Sequence, residues 1–187
     1  DRREDIAYHF CRQSLIRNAS VALNIQPLIQ DNLRAYGLYT RGIDPVASTY
    51  FTDTRFFVLY LAGYRGWALF CDCDFLWLTD IAELIASADD RFAAMCVHHY
   101  HRPTERHQME GQQQTLYPRK NWSSMVLFNC GREANRALTP ELADRESGKY
   151  LHRFGWLEDD LIGSLPEKWN WLEGWNDKPE RGTPSAI

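Results

Sequence analysis

The chain opens on a polar stretch, Asp1-Arg2-Arg3-Glu4-Asp5, and passes directly into apolar positions at Ile6, Phe10, Cys11, Leu15 and Ile16. That three-and-four spacing predicts an amphipathic helix, with acids at its positive end. Val21-Ala22-Leu23-Asn24-Ile25 predicts a short strand. Thr52 or Asp53 offers an N-cap for a helix carrying Arg55, Phe56, Phe57, Leu59 and Tyr60, which Gly63 closes. Trp67-Ala68-Leu69-Phe70-Cys71 reads as a buried strand that runs straight into Asp72-Cys73-Asp74. A helix is expected over residues 81–88, strands over 92–97 and 124–129, and helix over 134–154 with a break at Pro140. Strands alternating with helices predict an α/β fold with parallel members in its sheet.

The composition narrows the class. With 187 residues the chain is expected to form a single domain, residues 1–187. A net charge of −4 argues against nucleic acid or an anionic membrane as the main partner. No apolar run is long enough for a membrane span. Five cysteines, an odd number without framework spacing, fit a reducing, cytoplasmic setting. The abundance of Trp, Tyr and Phe suits a domain that also lines a ligand cleft.

In open α/β sheets, ligands sit beyond the carboxyl ends of the strands, which draws attention to Asp72 and Asp74. Their spacing points both carboxylates to one side if strand geometry persists past Cys71. Two carboxylates so placed can ligate a hard divalent cation through oxygen and, with it, a diphosphate. A solvated acidic turn is the plainer reading of a bare D-x-D, but here the pair lies between a hydrophobic strand and Phe75-Leu76-Trp77-Leu78. Acids in such surroundings need partners.

The stretch Thr52-Asp53-Thr54-Arg55-Phe56-Phe57, followed by Gly66 to Phe70, Cys71-Asp72-Cys73-Asp74 and Thr79-Asp80-Ile81, resembles the core of GT-A glycosyltransferases, closest to the family 8-like group. Asp1-Arg2-Arg3-Glu4 resembles that family's turn at the nucleotide base and ribose, and Tyr8 falls near the nucleotide. Pro118 to Asn129 resembles the strand beneath the donor sugar. Glu158-Asp159-Asp160-Leu161-Ile162, with the later Asn170, resembles the family's Asp-Gln-Leu-Leu segment and its Asn. The resemblance implies a single Rossmann-like GT-A domain whose mixed, mainly parallel central sheet is flanked by helices. It further implies Asp72 and Asp74 as ligands of Mn²⁺ or Mg²⁺. Asp1, Tyr8, Arg55, Asp72, Trp122 and Ser123 would bind the donor, and Asp159 and Glu158 would stand nearest the anomeric carbon as catalytic groups.

The chain departs from the family pattern in four places. Trp122-Ser123-Ser124 replaces Asn-x-Gly, Asp159 replaces a Gln, and neither the first strand nor the C-terminal His segment is found. The chain is therefore expected to be truncated at both ends. The expected function is metal-dependent transfer of a hexose, with retention, from a nucleotide diphosphate sugar, by resemblance a UDP-sugar, to a carbohydrate or other hydroxyl acceptor. The alternative is a module that binds a nucleotide sugar or glycan without transfer. A zinc hydrolase is the weakest reading, because His98, His99, His101, His107, Cys73 and Cys96 lack zinc-ligand spacing. One of His99 and His101 is expected to face the cleft. Lys120 is a weak phosphate candidate, Trp169, Trp171 and Trp175 divide between core and sugar-stacking wall, and Cys71 and Cys73 are expected to be inert packing.

Overall fold

A computed structural model describes residues 4–42, 51–99, 119, 122–174, 176 and 183–187. The described helices are α1 (Asp5–Asn18), α2 (Gln30–Ala35), α3 (Val58–Leu61), α4 (Ile81–Ile85), α5 (Pro140–Arg145) and α6 (Gly148–His152). The strands are β1 (Trp67–Cys71), β2 (Ala94–Val97), β3 (Met125–Asn129) and β4 (Ile162–Leu165). They form one mixed sheet in the order β1-β3-β2-β4, flanked by helices.

β3 is antiparallel to both its neighbours, whereas β2 and β4 are parallel. β1, β2 and β4 therefore share a direction, but the reversed β3 stands between β1 and β2, so two of the three described pairings are antiparallel. This corrects the expectation of a mainly parallel sheet. It also has a positional effect: the ends of β1 and β2 and the start of β3 meet at one edge of the sheet.

The period of two along each strand divides the core between the two faces. Ala94, Cys96, Val126, Phe128 and Ile162, with Ala68 and Phe70, face a layer built on Phe56, Phe57, Leu59, Leu138, Leu151 and Phe154. Met95, Val97, Met125, Leu127 and Leu165, with Trp67, Leu69 and Cys71, face α1, α4, Trp77 and Trp169. Burying each such Leu or Phe contributes about 1.5–3 kcal/mol. β4 escaped the sequence reading because it is short and interrupted by Gly163. A Cβ there would stand 2.6 Å from the Phe92 ring, so the glycine lets that ring lie on the strand.

Local chemistry sets the other boundaries. Asp80 caps α4 by accepting from the Ala82 amide, and Thr139 caps α5 ahead of Pro140, the expected break. The helix expected from Thr52 begins instead as a 3₁₀ segment, Thr52–Phe57, before α3. There the Thr54 hydroxyl and the Arg55 Nε donate to the carbonyls of Phe51 and Thr52. Gly63 ends the helix with φ +63°, as expected. Residues 21–25 are not a strand: their largely exposed backbone has no partner strand among the described residues. Residues 185–187 pair with residues 76–78, through Trp77 opposite Ala186 and hydrogen bonds of 2.8–3.1 Å between Leu76 and Ile187.

Candidate functional site

The sheet edge where β1 ends and β3 begins collects most of the polar residues singled out in the sequence. Strand alternation turns Asp72 toward the face that carries Arg55, while Cys71 points to α1. Pairing with β3 continues one residue past the strand, through the Asp72 amide to the Ser124 carbonyl at 2.8 Å. The chain then turns at Cys73 and Asp74, so strand geometry does not persist and the two acids are not simple alternates of one strand. Asp74 is exposed and Asp72 is partly buried.

Arg55 is the centre of the arrangement. Its guanidinium forks onto the two Asp72 oxygens at 2.9 and 3.3 Å, and also donates to the Ser123 carbonyl at 2.6 Å and the Thr52 carbonyl at 2.8 Å. Its plane lies over Phe70. A planar, permanently charged fork meets all these acceptors at once, which lysine cannot do. Burial pushes the Asp72 carboxyl up to about 6; Arg55 pulls against that and Asp74 adds to it. The acid thus takes up a proton readily at mildly acidic pH.

Beneath Arg55 runs a buried polar chain that the sequence did not disclose. The Ser123 Oγ lies 2.6 Å from the His152 Nδ1, the Thr52 Oγ lies 3.2 Å from its Nε2, and Asp53 stands 3.7 Å away. Arg41 pairs with Asp53 at 3.3 Å. Burial, with the charges of Arg55 and Arg41, drives the His152 pKa down to about 3, so the ring is neutral. Its partners are 29 and 100 residues away in sequence, and no spacing rule links them. The Ser123 hydroxyl is consequently turned inward to His152, and what Ser123 offers the Asp72 end is the carbonyl that holds Arg55.

Trp122, half-buried, stacks face to face on His98 at 3.8 Å, with its Nε1 donating to the His99 carbonyl. Arg119 lies on the Trp122 ring and pairs with Asp159. Asp159 is 89% exposed, and Glu158 precedes it with its carbonyl turned to the Leu161 amide. Both acids lie in the segment that leads into β4, and the Arg119 that pairs with Asp159 lies on the Trp122 ring, next to the Ser123 whose carbonyl holds Arg55.

Tyr8 stands one helical turn beyond Glu4, whose carboxylate is 4.0 Å from the Cys73 thiol, and its ring packs on His9. The start of α1 therefore approaches the Asp72–Asp74 turn. Asp1, Lys120, His101, His107 and Trp175 lie outside the described residues. Trp169 and Trp171 are buried, Trp169 against Trp77, so these two are core and not a stacking wall. Contact with Cys11, together with burial, raises the Cys71 thiol, and burial with nearby Glu4 raises Cys73 to about 11. Both fit inert packing. Asn170, the expected later Asn, is buried and donates to the Ser124 hydroxyl at 2.8 Å.

Asp72 and Asp74 are the oxygen donors on this turn that would be offered to a hard cation such as Mn²⁺ or Mg²⁺. A carboxylate offers about four lone-pair sites, of which the Arg55 fork takes two. Among the described residues, no group of three or more His, Cys, Asp or Glu side chains is arranged to hold a metal ion. The described protein ligands would number two, the pattern of an ion that shares its shell with water and substrate phosphates.

Comparison with known proteins adds one relative. Protein CDI of Arabidopsis thaliana is 50% identical over 190 residues, spanning all of this chain and 73% of that protein. The chain belongs to the Protein CDI family. No protein-family model matches this chain, and no solved structure matches it. Among its described residues, no helix is long and apolar enough to cross a membrane.

Proposed function

We propose that this CDI-family chain is a metal-dependent GT-A-type glycosyltransferase, forming one domain, that takes a hexose from a nucleotide diphosphate sugar, by resemblance a UDP-sugar, and passes it with retention to a carbohydrate or other hydroxyl acceptor. The observation that carries the reading is the buried Arg55 fork on Asp72 at the carboxyl end of β1, with exposed Asp74 on the adjoining turn. Arg55 fixes Asp72 with one edge of its carboxylate committed, and Asp74 supplies a second, accessible oxygen ligand. When bound there, Mn²⁺ or Mg²⁺ supplies charge neutralisation for a departing diphosphate. Tyr8 at the α1 approach and Trp122 beside His98 are the donor contacts this reading keeps, with Ser123 acting through its backbone. Asp159 and Glu158 are the carboxylates assigned to charge that develops at the anomeric carbon. Five free cysteines accord with a cytoplasmic setting.

A second reading, binding of a nucleotide sugar without transfer, is favoured by the ion pair of Asp159 with Arg119, which occupies the carboxylate that the transfer would need. One experiment separates the two. UDP-, GDP-, CMP- and dTDP-sugars are screened by thermal shift with and without Mn²⁺, and donor turnover is followed on the same samples. A ligand at about 100 times its Kd stabilises by about 2.7 kcal/mol. For a chain of this size that is a rise of roughly 5–11 °C. A shift that requires one nucleotide and the cation, and vanishes in Asp74→Ala, is the expected result. The same shift without turnover selects the binding module, and an Asp74→Ala variant with full metal-dependent binding overturns the assignment.

A further inference from the structure

Away from Asp72, a cavity of about 400 Å³ opens between α6, the turn that follows it and Arg119. Its lining carries three cations, Arg119, Lys149 and Arg153, against one acid, Asp159. Arg119 is spent internally: it pairs with Asp159 and donates to the Arg153 carbonyl. Lys149 and Arg153 are exposed and remain for a ligand. Their two charges match a dianion better than a single carboxylate.

One wall is built by a tightly packed turn. The Tyr150 ring lies flat against the chain at Gly155, where a Cβ would stand 2.4 Å from the ring. The Gly155 amide donates to the Tyr150 carbonyl at 2.9 Å, closing the turn. Phe154 and Arg119 hold φ of +55° and +64°, so two of the three described non-glycine residues with left-handed backbone line this one cavity. Such conformations are strained for residues other than glycine and concentrate at ligand sites. A volume near 400 Å³ falls within the range of small-molecule sites, about 300–1,000 Å³.

We propose that this cavity binds a phosphate monoester of a sugar-sized molecule, with Lys149 and Arg153 on the phosphate and Tyr150 against the apolar face of the ring. The site is distinct from Asp72 and Asp74, although Asp159, which the transferase reading uses, lies on its wall, and the argument for it does not need that reading.

The test is titration calorimetry of the full chain with glucose 6-phosphate, glucose and inorganic phosphate, repeated on Lys149→Gln/Arg153→Gln. Both substituted side chains are exposed, and a near-wild-type unfolding midpoint certifies the fold. Glucose 6-phosphate is expected to bind more tightly than inorganic phosphate, glucose to give no heat, and the double variant to lose at least about tenfold in affinity, since both charge-assisted contacts to the phosphate are removed. No binding of glucose 6-phosphate, binding no tighter than that of inorganic phosphate, equal binding of glucose, or unchanged affinity in the double variant each overturns the proposal. The Mn²⁺-dependent donor shift on the same samples reports on Asp72 and Asp74 alone, so either site can fail without the other.

Discussion

Replacing His152 by glutamine should cost less stability in acid than at neutral pH. His152 is buried and neutral, with its pKa driven from 6.5 to about 3 by burial and by Arg55 and Arg41. The neighbouring Asp53, 3.7 Å from the ring, is also paired with Arg41 at 3.3 Å. In the unfolded chain the ring takes up a proton below its ordinary pKa, and in the folded chain it does not. Stability tied to the neutral ring is therefore complete above about pH 6.5 and is lost as pH falls toward the folded value. At 1.36 kcal/mol per unit, the loss between about pH 7 and about pH 5 is about 2 kcal/mol. Glutamine keeps a polar group near the Ser123 hydroxyl but has nothing to titrate. The destabilisation by His152→Gln, measured by urea unfolding, should accordingly shrink by about 2 kcal/mol over that interval. Asp72 titrates in the opposite sense in both proteins and largely cancels from the difference. A cost that is the same at both pH values would refute a buried neutral His152.

Two further expectations follow from the same geometry. Because protons compete with a cation for Asp72, whose carboxyl sits at about 6, the Mn²⁺-dependent donor shift should fade as pH drops from about 7 to about 5, and a shift constant over that range would remove Asp72 from the metal site. Gly163→Ala should destabilise by about 1–3 kcal/mol, because its Cβ would meet the Phe92 ring at 2.6 Å on a packed strand; an unchanged urea midpoint would show that the ring yields freely.

What was legible in the chain was local. β1 and β3 were readable because their apolar runs serve both faces of the sheet, and α1 because its apolar positions recur at helical spacing. Residues 21–25 have strand-like composition, but a strand also needs a partner, which composition cannot supply. Gly163 hid β4, whose pairing with β2 joins residues 68 positions apart at Ala94 and Ile162. Strand direction was misjudged for a similar reason: alternation of strands and helices says nothing of a reversed strand inserted between two others. Arg55 and Asp72 were readable as a pair only through the family resemblance. His152 gave no signal, since its environment is assembled from Thr52, Asp53 and Ser123 by tertiary packing.

The Asp72–Asp74 turn is fastened on both sides by distant chain: the Asp72 amide to Ser124 before it, and Leu76 to Ile187 after it. Contacts that span so much sequence are the slow ones to form, because loop closure is entropically costly until the rest of the fold rewards it. During synthesis the two acids leave the ribosome long before residues 185–187 exist to pin the strand that follows them. The turn therefore gains its second anchor only once residues 185–187 have been made.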